Sequence, residues 1–349
     1  MKLPKHSLAL VLLTPCWAGG ANPADTAEIR APSIRGQLRW WLRTLFPNTN
    51  AHEVILGSAV DSNVRASAVS LLVRDVKARL RKLNLEDYTG RKGNEALQQA
   101  EAYFLWPLRP TRQSPQKRGV LIAPEDQSYA SFTLEWTWLP PFAGMASTWQ
   151  PKFEQALKAW SLLGTLGTRA TRGYGSVWDP SWQFSSPADF SRALEFLPGD
   201  IHVRLLDGQF LHARDALAAA AKWFRSLRLG TSRYGGNPSK WGRNDHDVAL
   251  GKGGHKQVVY RPALGLPLVQ RFQGGPVVET RLSTSPTPDR YPSPVHVKVV
   301  IIGGRCRIAI LIFDRHLLSD GTMLEVGKRK IPVSLELVDH IRNTGLKIH

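Results

Sequence analysis

The chain has 349 residues, of which 42% are hydrophobic, so it is long enough for about two domains that each bury a core. Its 46 lysines and arginines outnumber 28 aspartates and glutamates, which gives a formal net charge of +18 and favours a polyanionic partner, RNA or DNA. Cys16 and Cys306 are its two cysteines, which excludes a disulfide framework and a cysteine-based zinc site. No apolar run approaches the roughly 18 residues of a membrane span.

The first element that we predict is a buried strand at residues 8–13, a short apolar run closed by Pro15 and the Gly19-Gly20 pair. After the basic start of the chain, this run imitates a secretory signal. It is short for that purpose, and the residues that follow it make a poor cleavage context, so the sequence favours a core strand. We therefore expect a cytoplasmic protein, which the low cysteine content also fits.

The next element is a helix that we predict to begin at Ser33, because Ser33 follows Pro32 and can cap the helix N-terminus. Apolar residues recur along one face of this helix. They are Ile34, Leu38, Trp41, Leu42 and Leu45. The pattern is typical of an amphipathic helix that packs on a core.

Arginines follow a second face of the same helix, since Arg35, Arg39 and Arg43 are four residues apart. The surrounding segment, residues 29–52, also contains Arg30 and has no acid, which is typical of a surface that attracts polyanions. We predict phosphate contacts near the start of the helix, where the helix dipole adds attraction. The predicted RNA-binding residues here are Arg30, Ser33, Arg35 and Arg39.

Two further strands are predicted at residues 68–73 and 132–138, the second with bulky apolar residues that alternate with polar ones. Residues 76–130 between them are too long for a hairpin, so we interpret them as an exposed insertion with basic patches. Those patches contain Arg109, Arg112, Lys117 and Arg118. A helix opened by Pro151 and a strand at residues 176–178 complete the order βαββαβ of ferredoxin-like and RNA-recognition domains.

The segment at residues 163–177, which we call the glycine-rich loop, combines four glycines with two arginines and no acid. Glycine permits close approach and arginine supplies forked donors, so such a loop suits a phosphate backbone. Tyr174 is its one candidate for stacking on a base. A tight structural turn whose arginines face water is the alternative interpretation. The predicted RNA-binding residues of the loop are Gly164, Gly167, Arg169, Arg172, Gly173, Tyr174 and Gly175.

Prolines and serines at residues 180–187 mark a domain boundary, which we place between an N-terminal domain, residues 1–184, and a C-terminal domain, residues 185–349. The C-terminal domain is predicted to be a second ferredoxin-like unit, so that the chain is α+β with two such domains side by side. Its predicted elements are helices at residues 214–228 and 333–344 and strands at residues 264–271, 294–302 and 306–313. Long loops are predicted at residues 230–256 and 274–294.

A second acid-free basic window spans residues 216–244 and runs into the first of those long loops. By the same electrostatic reasoning, we predict that its end contacts RNA. The predicted residues are Lys240, Trp241 and Arg243.

Motifs for nucleotide-dependent catalysis are absent from the sequence, which contains neither a Walker loop nor a dinucleotide fingerprint. Two histidines, His246 and His255, lie near Asp245 and Asp247, and this cluster indicates either a solvated polar loop or a metal or acid–base site. Cleavage of RNA by its own 2′-hydroxyl needs little beyond one histidine. A metal-independent endoribonuclease that processes precursor RNA through His246 or His255 is therefore a competing hypothesis, and a DNA-binding scaffold is a third.

Several segments of the chain resemble the RAMP superfamily of CRISPR RNA-binding proteins, and within it the tip subunit, subunit one, of type III-B Cmr effector complexes. The similar blocks follow the family's order along nearly the whole chain, which is more specific than any one block. They are residues 13–15, 19–21, 29–41, 53–58, 164–175, 239–241, 263–268 and 291–298.

This resemblance implies two ferredoxin-like domains that hold the 3′ region of the guide RNA and the paired target RNA in antiviral defence. It also implies contacts with the other RAMP subunits of the effector complex. Catalysis, metals and cofactors are not expected in this chain, because target cleavage in such complexes belongs to the repeating backbone subunit. Residues 242–246 depart from the family pattern, which has a proline-containing acidic stretch there.

Overall fold

The computed structural model describes residues 4–20, 26–60, 63–83, 99–108, 118–229, 239–252, 257–271, 276–283 and 290–349. The described helices are α1 Ala31–Leu45, α2 Ala51–Leu56, α3 Gln99–Leu105, α4 Ala146–Leu163, α5 Pro187–Ala193, α6 Ala213–Leu229, α7 Lys240–Leu250 and α8 Glu336–Arg342. Short 3-10 helices lie at Trp106–Leu108, Pro140–Met145, Arg261–Leu264 and Asp314–His316.

The strands belong to several antiparallel sheets, so the fold is mixed α+β as predicted. They are β1 His6–Leu12, β2 Ser58–Val60, β3 Asn63–Arg65, β4 Val69–Lys77, β5 Arg79–Leu83, β6 Arg118–Ile122, β7 Ala130–Trp138, β8 Val177–Trp178, β9 Ile201–Leu205, β10 Leu268–Arg271, β11 Val277–Leu282, β12 Val295–Ile302, β13 Arg305–Phe313, β14 Met323–Val326, β15 Arg329–Pro332 and β16 Leu346–Lys347. No described helix combines the length and the apolar character that a membrane crossing requires.

The chain divides into two compact units, and the first comprises Met1–Pro198, Gly208–Leu217 and Lys298–Ile308. Its main sheet has the order β4-β7-β1-β8, with every neighbouring pair antiparallel. Helices α1 and α4 pack against each other. Strand β7 is buried at every second residue, as its alternating sequence predicts. On this buried face, the ring centroids of Trp136 and Trp138 lie 6.0 and 6.2 Å from the ring centroid of Phe153 of α4.

Helix α1 begins two residues earlier than predicted, and its N-cap is Arg30 rather than Ser33. Pro32 explains the difference, because proline favours the first turn of a helix, where its missing N–H would have no helical partner. Ser33 lies inside that first turn, and its N–H donates to Arg30 O at 3.0 Å. The predicted apolar face is buried as expected.

Gly36 lies on the exposed side of α1, and an added Cβ atom would meet no described atom within 4 Å. We expect Gly36→Ala to raise the free energy of unfolding by about 1 kcal/mol, because alanine loses less backbone freedom in a helix. Thermal unfolding checks this expectation. Gly57→Ala is the control and should lower stability, since Gly57 has φ +78° and its Cβ would lie 2.7 Å from Arg65 O. A less stable Gly36→Ala protein would contradict the exposed helical position.

The start of α4 and the interpretation of the insertion were both wrong. Helix α4 begins at Ala146, directly after a 3-10 helix, and includes Pro151, which removes one helical hydrogen bond without ending the helix. The segment at residues 76–130 contains α3 and the ribbon β5-β6, and it contributes to the core instead of being exposed throughout. Its buried side chains include Phe104, Leu105, Val120 and Leu121. Arg109, Arg112 and Lys117 lie outside the described residues.

The second unit comprises Gly199–Asp207, Ala218–Val297 and Ala309–His349. One sheet, of order β10-β11-β14-β15, lies wholly within it. Another sheet has the order β12-β13-β9-β16, with Leu311 opposite Val203 and Ala309 opposite Leu205. Helix α6 and strands β12 and β13 agree with the prediction.

Two predicted loops of this unit contain regular structure. Helix α7 occupies part of residues 230–256, because Ser239 caps its start and Gly251, with φ +77°, ends it in the left-handed conformation. Strand β11 occupies part of residues 274–294 and pairs with β10 and β14. The predicted strand at residues 264–271 begins as a 3-10 helix and becomes β10 only at Leu268.

Candidate nucleic-acid interface

The glycine-rich loop begins at the end of α4 and runs back along the segment that follows β1. Gly175 N–H donates to Pro15 O, and Thr168 N–H donates to Trp17 O, each at 2.8 Å. The loop therefore lies directly on this segment, held by backbone hydrogen bonds at both places.

Two glycines of the loop are required by its contact with the protein itself. Gly167 and Gly175 have left-handed backbone, with φ +87° and +63°. A Cβ atom at Gly175 would lie 2.0 Å from Leu166 O, and one at Gly167 would lie 2.8 Å from Trp17 O. Our sequence interpretation explained these glycines by close approach of a phosphate chain, whereas the structure shows close approach of the protein's own backbone.

The side chain of Cys16 also stabilises the contact between the glycine-rich loop and the segment after β1. Its thiol donates to Leu166 O at 3.4 Å, the carbonyl that Gly175 approaches. Burial raises the pKa of Cys16 to about 12, so the thiol remains protonated at neutral pH and keeps its hydrogen bond.

Most of the glycine-rich loop is buried. Tyr174 is 2% exposed and Arg172 is 7% exposed, so the predicted stacking of Tyr174 on a base is wrong for this structure, in which the ring fills the core under the loop. Arg172 Nη1 donates to Thr171 O at 3.0 Å. The other buried residues that we predicted to bind RNA are Gly164, Gly173 and Gly175.

The surface of the loop is formed by residues 167–171. Thr168 is exposed, and Gly167 and Arg169 are half-buried. Thr168 was not among the residues predicted to bind RNA, since its only signal in the sequence is its place between a glycine and an arginine. A hydroxyl here adds a hydrogen-bond donor and acceptor to the loop surface.

Arg169 has an unusual backbone for a residue with a side chain, with φ +65°. Such a conformation costs about 1–3 kcal/mol and recurs at functional sites. Its Nε donates to Phe104 O at 2.7 Å, which attaches the loop to the end of α3. The guanidinium of Arg169 is therefore held at a defined place on the surface of the loop.

The arginines of α1 form the basic stripe that the sequence predicts, with one member engaged by the protein. Arg39 Nη2 donates to Leu56 O at 2.9 Å and to Gly57 O at 2.8 Å, so it anchors the end of α2. Arg35, Arg39 and Arg43 are neighbours one turn apart on α1. Burial lowers the pKa of Arg39, and the charges of Arg43 and Arg35 lower it further. Arg39 is thus a poorer candidate for RNA contact than its neighbours.

Arg30, Arg35 and Arg43 form no ion pair with another residue in the part of the chain that the structure describes. Arg30 and Arg43 are exposed, and Arg35 is half-buried. Ser33, in the first turn of the helix, is also half-buried. These arginines provide positive charge along α1, from its N-cap at Arg30 to its last turn at Arg43.

The loop surface and the start of α1 flank one short segment. Trp17 O accepts the N–H of Thr168, and Ala18 O accepts the N–H of Glu28, both at 2.8 Å. Because consecutive carbonyls of extended chain point to opposite sides, the glycine-rich loop and the residues before Arg30 lie on opposite sides of this segment. About two strand spacings, roughly 10 Å, then separate them.

In the second unit, α7 contains the three predicted RNA-binding residues in different surroundings. Lys240 forms an ion pair with Glu336 at 2.8 Å and lies over the ring of Trp241 at 4.7 Å. Trp241 is buried and its ring contacts His340 at 4.8 Å, so the prediction that it contacts RNA is not supported. Arg243 is exposed.

Three members of the histidine–aspartate cluster that the sequence left open between a solvated loop and a metal or acid–base site are described: Asp245, His246 and Asp247. Asp245 is buried and accepts the N–H groups of Tyr260 and Arg261, both at 2.8 Å, and Arg261 Nε at 3.0 Å. Burial raises the pKa of Asp245, and the Arg261 guanidinium opposes that rise. His246 is exposed with Nδ1 3.4 Å from Asp247, and His255 lies outside the described residues. No group of three metal-ligating side chains occurs among the residues described.

Known proteins resemble this chain in two ways, by a family sequence model and by the fold of solved structures. The sequence model of the RAMP superfamily matches residues 9–178, and no curated protein is significantly similar. Among solved structures, the crystal structure of Cmr1 from Pyrococcus furiosus in its apo form is 18% identical, with a TM-score of 0.54 over 89% of this chain and 88% of that chain. A cryo-EM structure of Type III-B Cmr-beta bound to cognate target RNA and AMPPnP is 14% identical, with a TM-score of 0.49 over 98% of both chains.

The similarity to Cmr1 concerns the fold, whereas the family match rests on the sequence itself. The matched residues include the first sheet strands, α1 with its arginines and the glycine-rich loop. This part of the chain, residues 9–178, belongs to the RAMP superfamily.

Proposed function

We propose that this chain is a non-catalytic RNA-binding subunit of a type III-B CRISPR ribonucleoprotein. In antiviral defence in the cytoplasm, it would hold the 3′ region of the guide RNA and the paired target RNA beside other RAMP subunits. The observation that carries this proposal is a set of three arginines at the start and along the length of α1, Arg30, Arg35 and Arg43, which form no ion pair with a described residue. They lie in the same RAMP-superfamily segment as the exposed part of the glycine-rich loop. Arginines without acidic partners suit a phosphate chain.

The fold supports an extension of this proposal to the whole chain. Counted in chain order, β1, β4, β7 and β8 form a sheet of order 4-1-3-2, and β9, β12, β13 and β16 repeat that order. We therefore propose two ferredoxin-like domains, residues 1–184 and 185–349. The similarity of fold to Cmr1 over 89% of the chain is consistent with the role of subunit one.

The structure narrows the set of residues proposed to contact RNA. Exposed or half-buried candidates carry the proposed contacts: Arg30, Ser33, Arg35, Gly167, Thr168, Arg169 and Arg243. The buried candidates are proposed to support the loop and helices from within: Gly164, Arg172, Gly173, Tyr174, Gly175 and Trp241. Arg39 is half-buried and is proposed to support the end of α2, because its guanidinium donates to Leu56 O and Gly57 O. Lys240 is also proposed to contact RNA, although its ammonium group forms an ion pair with Glu336.

The double substitution Arg30→Ala/Arg35→Ala tests the RNA contact. We expect affinity for single-stranded RNA to fall about tenfold or more, because each arginine would lose a charge-assisted hydrogen bond. The slope of log affinity against log salt should become shallower by about 1.4, or about 0.7 for each lost phosphate contact. Fluorescence anisotropy of a labelled RNA at several salt concentrations measures both quantities.

Lys5→Ala/Arg305→Ala is the control, since it removes the same charge at two exposed residues that form no ion pair with a described residue. Lys5 precedes β1, at the end opposite to the glycine-rich loop. Equal losses in both double variants would overturn the proposed interface. Discrete cuts in repeat-containing RNA in the presence of EDTA would instead support the endoribonuclease, and equal competition by single-stranded DNA would support the DNA-binding scaffold.

A further inference from the structure

Lys298 is a completely buried lysine in β12, with 0% of its surface exposed. It forms no ion pair with any residue that the structure describes. An unpaired lysine is costly to bury, so its hydrogen bonds must offset a large desolvation penalty. The surrounding strand is otherwise almost wholly apolar, and a methionine of similar size would pack there at less cost.

The hydrogen bonds of Lys298 join the two ends of the glycine-rich loop. Its Nζ donates to Gly164 O, at the end of α4, and to Val177 O, at the start of β8. Val177 N–H also donates to Gly164 O, at 3.2 Å. One amine therefore connects the residues at which the loop leaves the helix and enters the sheet.

The residue after Lys298 holds the second half of the loop. Val299 N–H donates to Ser176 Oγ at 3.1 Å, and the Ser176 hydroxyl donates to Gly173 O at 2.9 Å. Thr14 Oγ1 donates to the same Gly173 O at 2.6 Å and accepts Ser176 N–H at 2.9 Å. Lys298 and Val299 thus contact the loop at its base and near Gly173, all within the first unit.

We propose that Lys298, assisted by Ser176, is a positioning residue that fixes the glycine-rich loop so that Thr168 and Arg169 face the RNA backbone. This inference rests on the proposed function. Lys298 is buried and touches no RNA itself, so it acts only through the loop.

Lys298→Met tests the inference, because methionine keeps the apolar stem and removes both hydrogen bonds. In the full chain, we expect amide hydrogens of residues 165–176 to exchange about tenfold faster. The two lost hydrogen bonds should raise the equilibrium population of the open loop by about that factor. Amides of β1 and β7 should keep their protection. Affinity for single-stranded RNA should fall by about the same factor, and the loss should not add to that of Arg169→Ala, since both changes act through the loop.

Val203→Ala is the control, a destabilising core substitution in β9, a strand that pairs with β13 and β16. If Lys298→Met does not fold, Ser176→Ala is the alternative variant. It should accelerate amide hydrogen exchange of residues 165–176 by a smaller factor. Unchanged loop exchange, or losses of affinity that simply add, would overturn the inference. A wild-type chain that binds no RNA would overturn the proposed function, while the exchange data would still decide whether Lys298 orders the loop.

Discussion

Gly175→Ala should destabilise the protein by about 2–6 kcal/mol. A left-handed φ costs a residue with a side chain about 1–3 kcal/mol, and an atom forced into a closed contact adds about 1–3 kcal/mol. Both conditions hold at Gly175, where φ is +63° and the new Cβ would lie 2.0 Å from Leu166 O. That oxygen belongs to backbone, so the chain itself must move.

Urea unfolding of the full chain, followed by tryptophan fluorescence, measures this loss. Gly199→Ala is the matched control, because an added Cβ there would meet no described atom within 4 Å and the backbone is not left-handed. Its stability should stay within about 0.5 kcal/mol of the wild-type value. The close packing of this segment leaves the loop no room to move away from Leu166. A Gly175→Ala protein that lost less than about 1 kcal/mol of stability would contradict this close packing.

The same glycine shows what a sequence can and cannot predict about the site. A run of glycines predicts that the backbone approaches something closely, and that much is confirmed at Gly167 and Gly175. Composition does not say whether the close neighbour is a ligand or the protein. The two arginines of the loop illustrate the same limit, because Arg172 is buried and Arg169 reaches the surface although their local sequences are alike.

In the first unit, the order of the four main-sheet strands and of the helices α1 and α4 was predictable because their apolar periodicity is strong. Strand β7 alternates strictly and α1 has an apolar face, so tertiary packing and local pattern agree. Strands β11, β14 and β15 were missed because they are four to six residues long and include charged residues, as in the sequence of β11, Val277–Leu282. Strands of this kind depend on their neighbours for stability more than on local propensity.

Helix α7 was missed for a different reason. Its polar and basic composition indicates a loop, yet the residues at its ends, Ser239 and Gly251, are the capping types that begin and end helices. Lys298 carried a signal as well, as the single lysine in the apolar strand β12. The sequence could not show which of these polar residues the fold would bury, since burial of Asp245 depends on a partner sixteen residues later in the chain.

Asp245→Ala should cost about 3–5 kcal/mol of stability, because it removes one partner of a buried ion pair and leaves the other charge uncompensated. Asp245 and Arg261 are both nearly inaccessible to solvent, with Arg261 Nε 3.0 Å from the carboxylate. The substitution also leaves the N–H of Tyr260 without its acceptor. The affected contact joins α7 to the 3-10 helix at Arg261–Leu264.

Chemical denaturation of Asp245→Ala and Asp247→Ala separates a structural carboxylate from the metal or acid–base site that the sequence left open. Asp247 is half-buried beside an exposed histidine, so its loss should change stability by no more than about 0.5 kcal/mol. In the double variant Asp245→Ala/Arg261→Met, stability should recover in part, because no buried charge then remains unpaired. If Asp245→Ala were as stable as Asp247→Ala, Asp245 would not hold α7 in place. The Asp245 carboxylate would then again be a candidate for metal binding or acid–base chemistry.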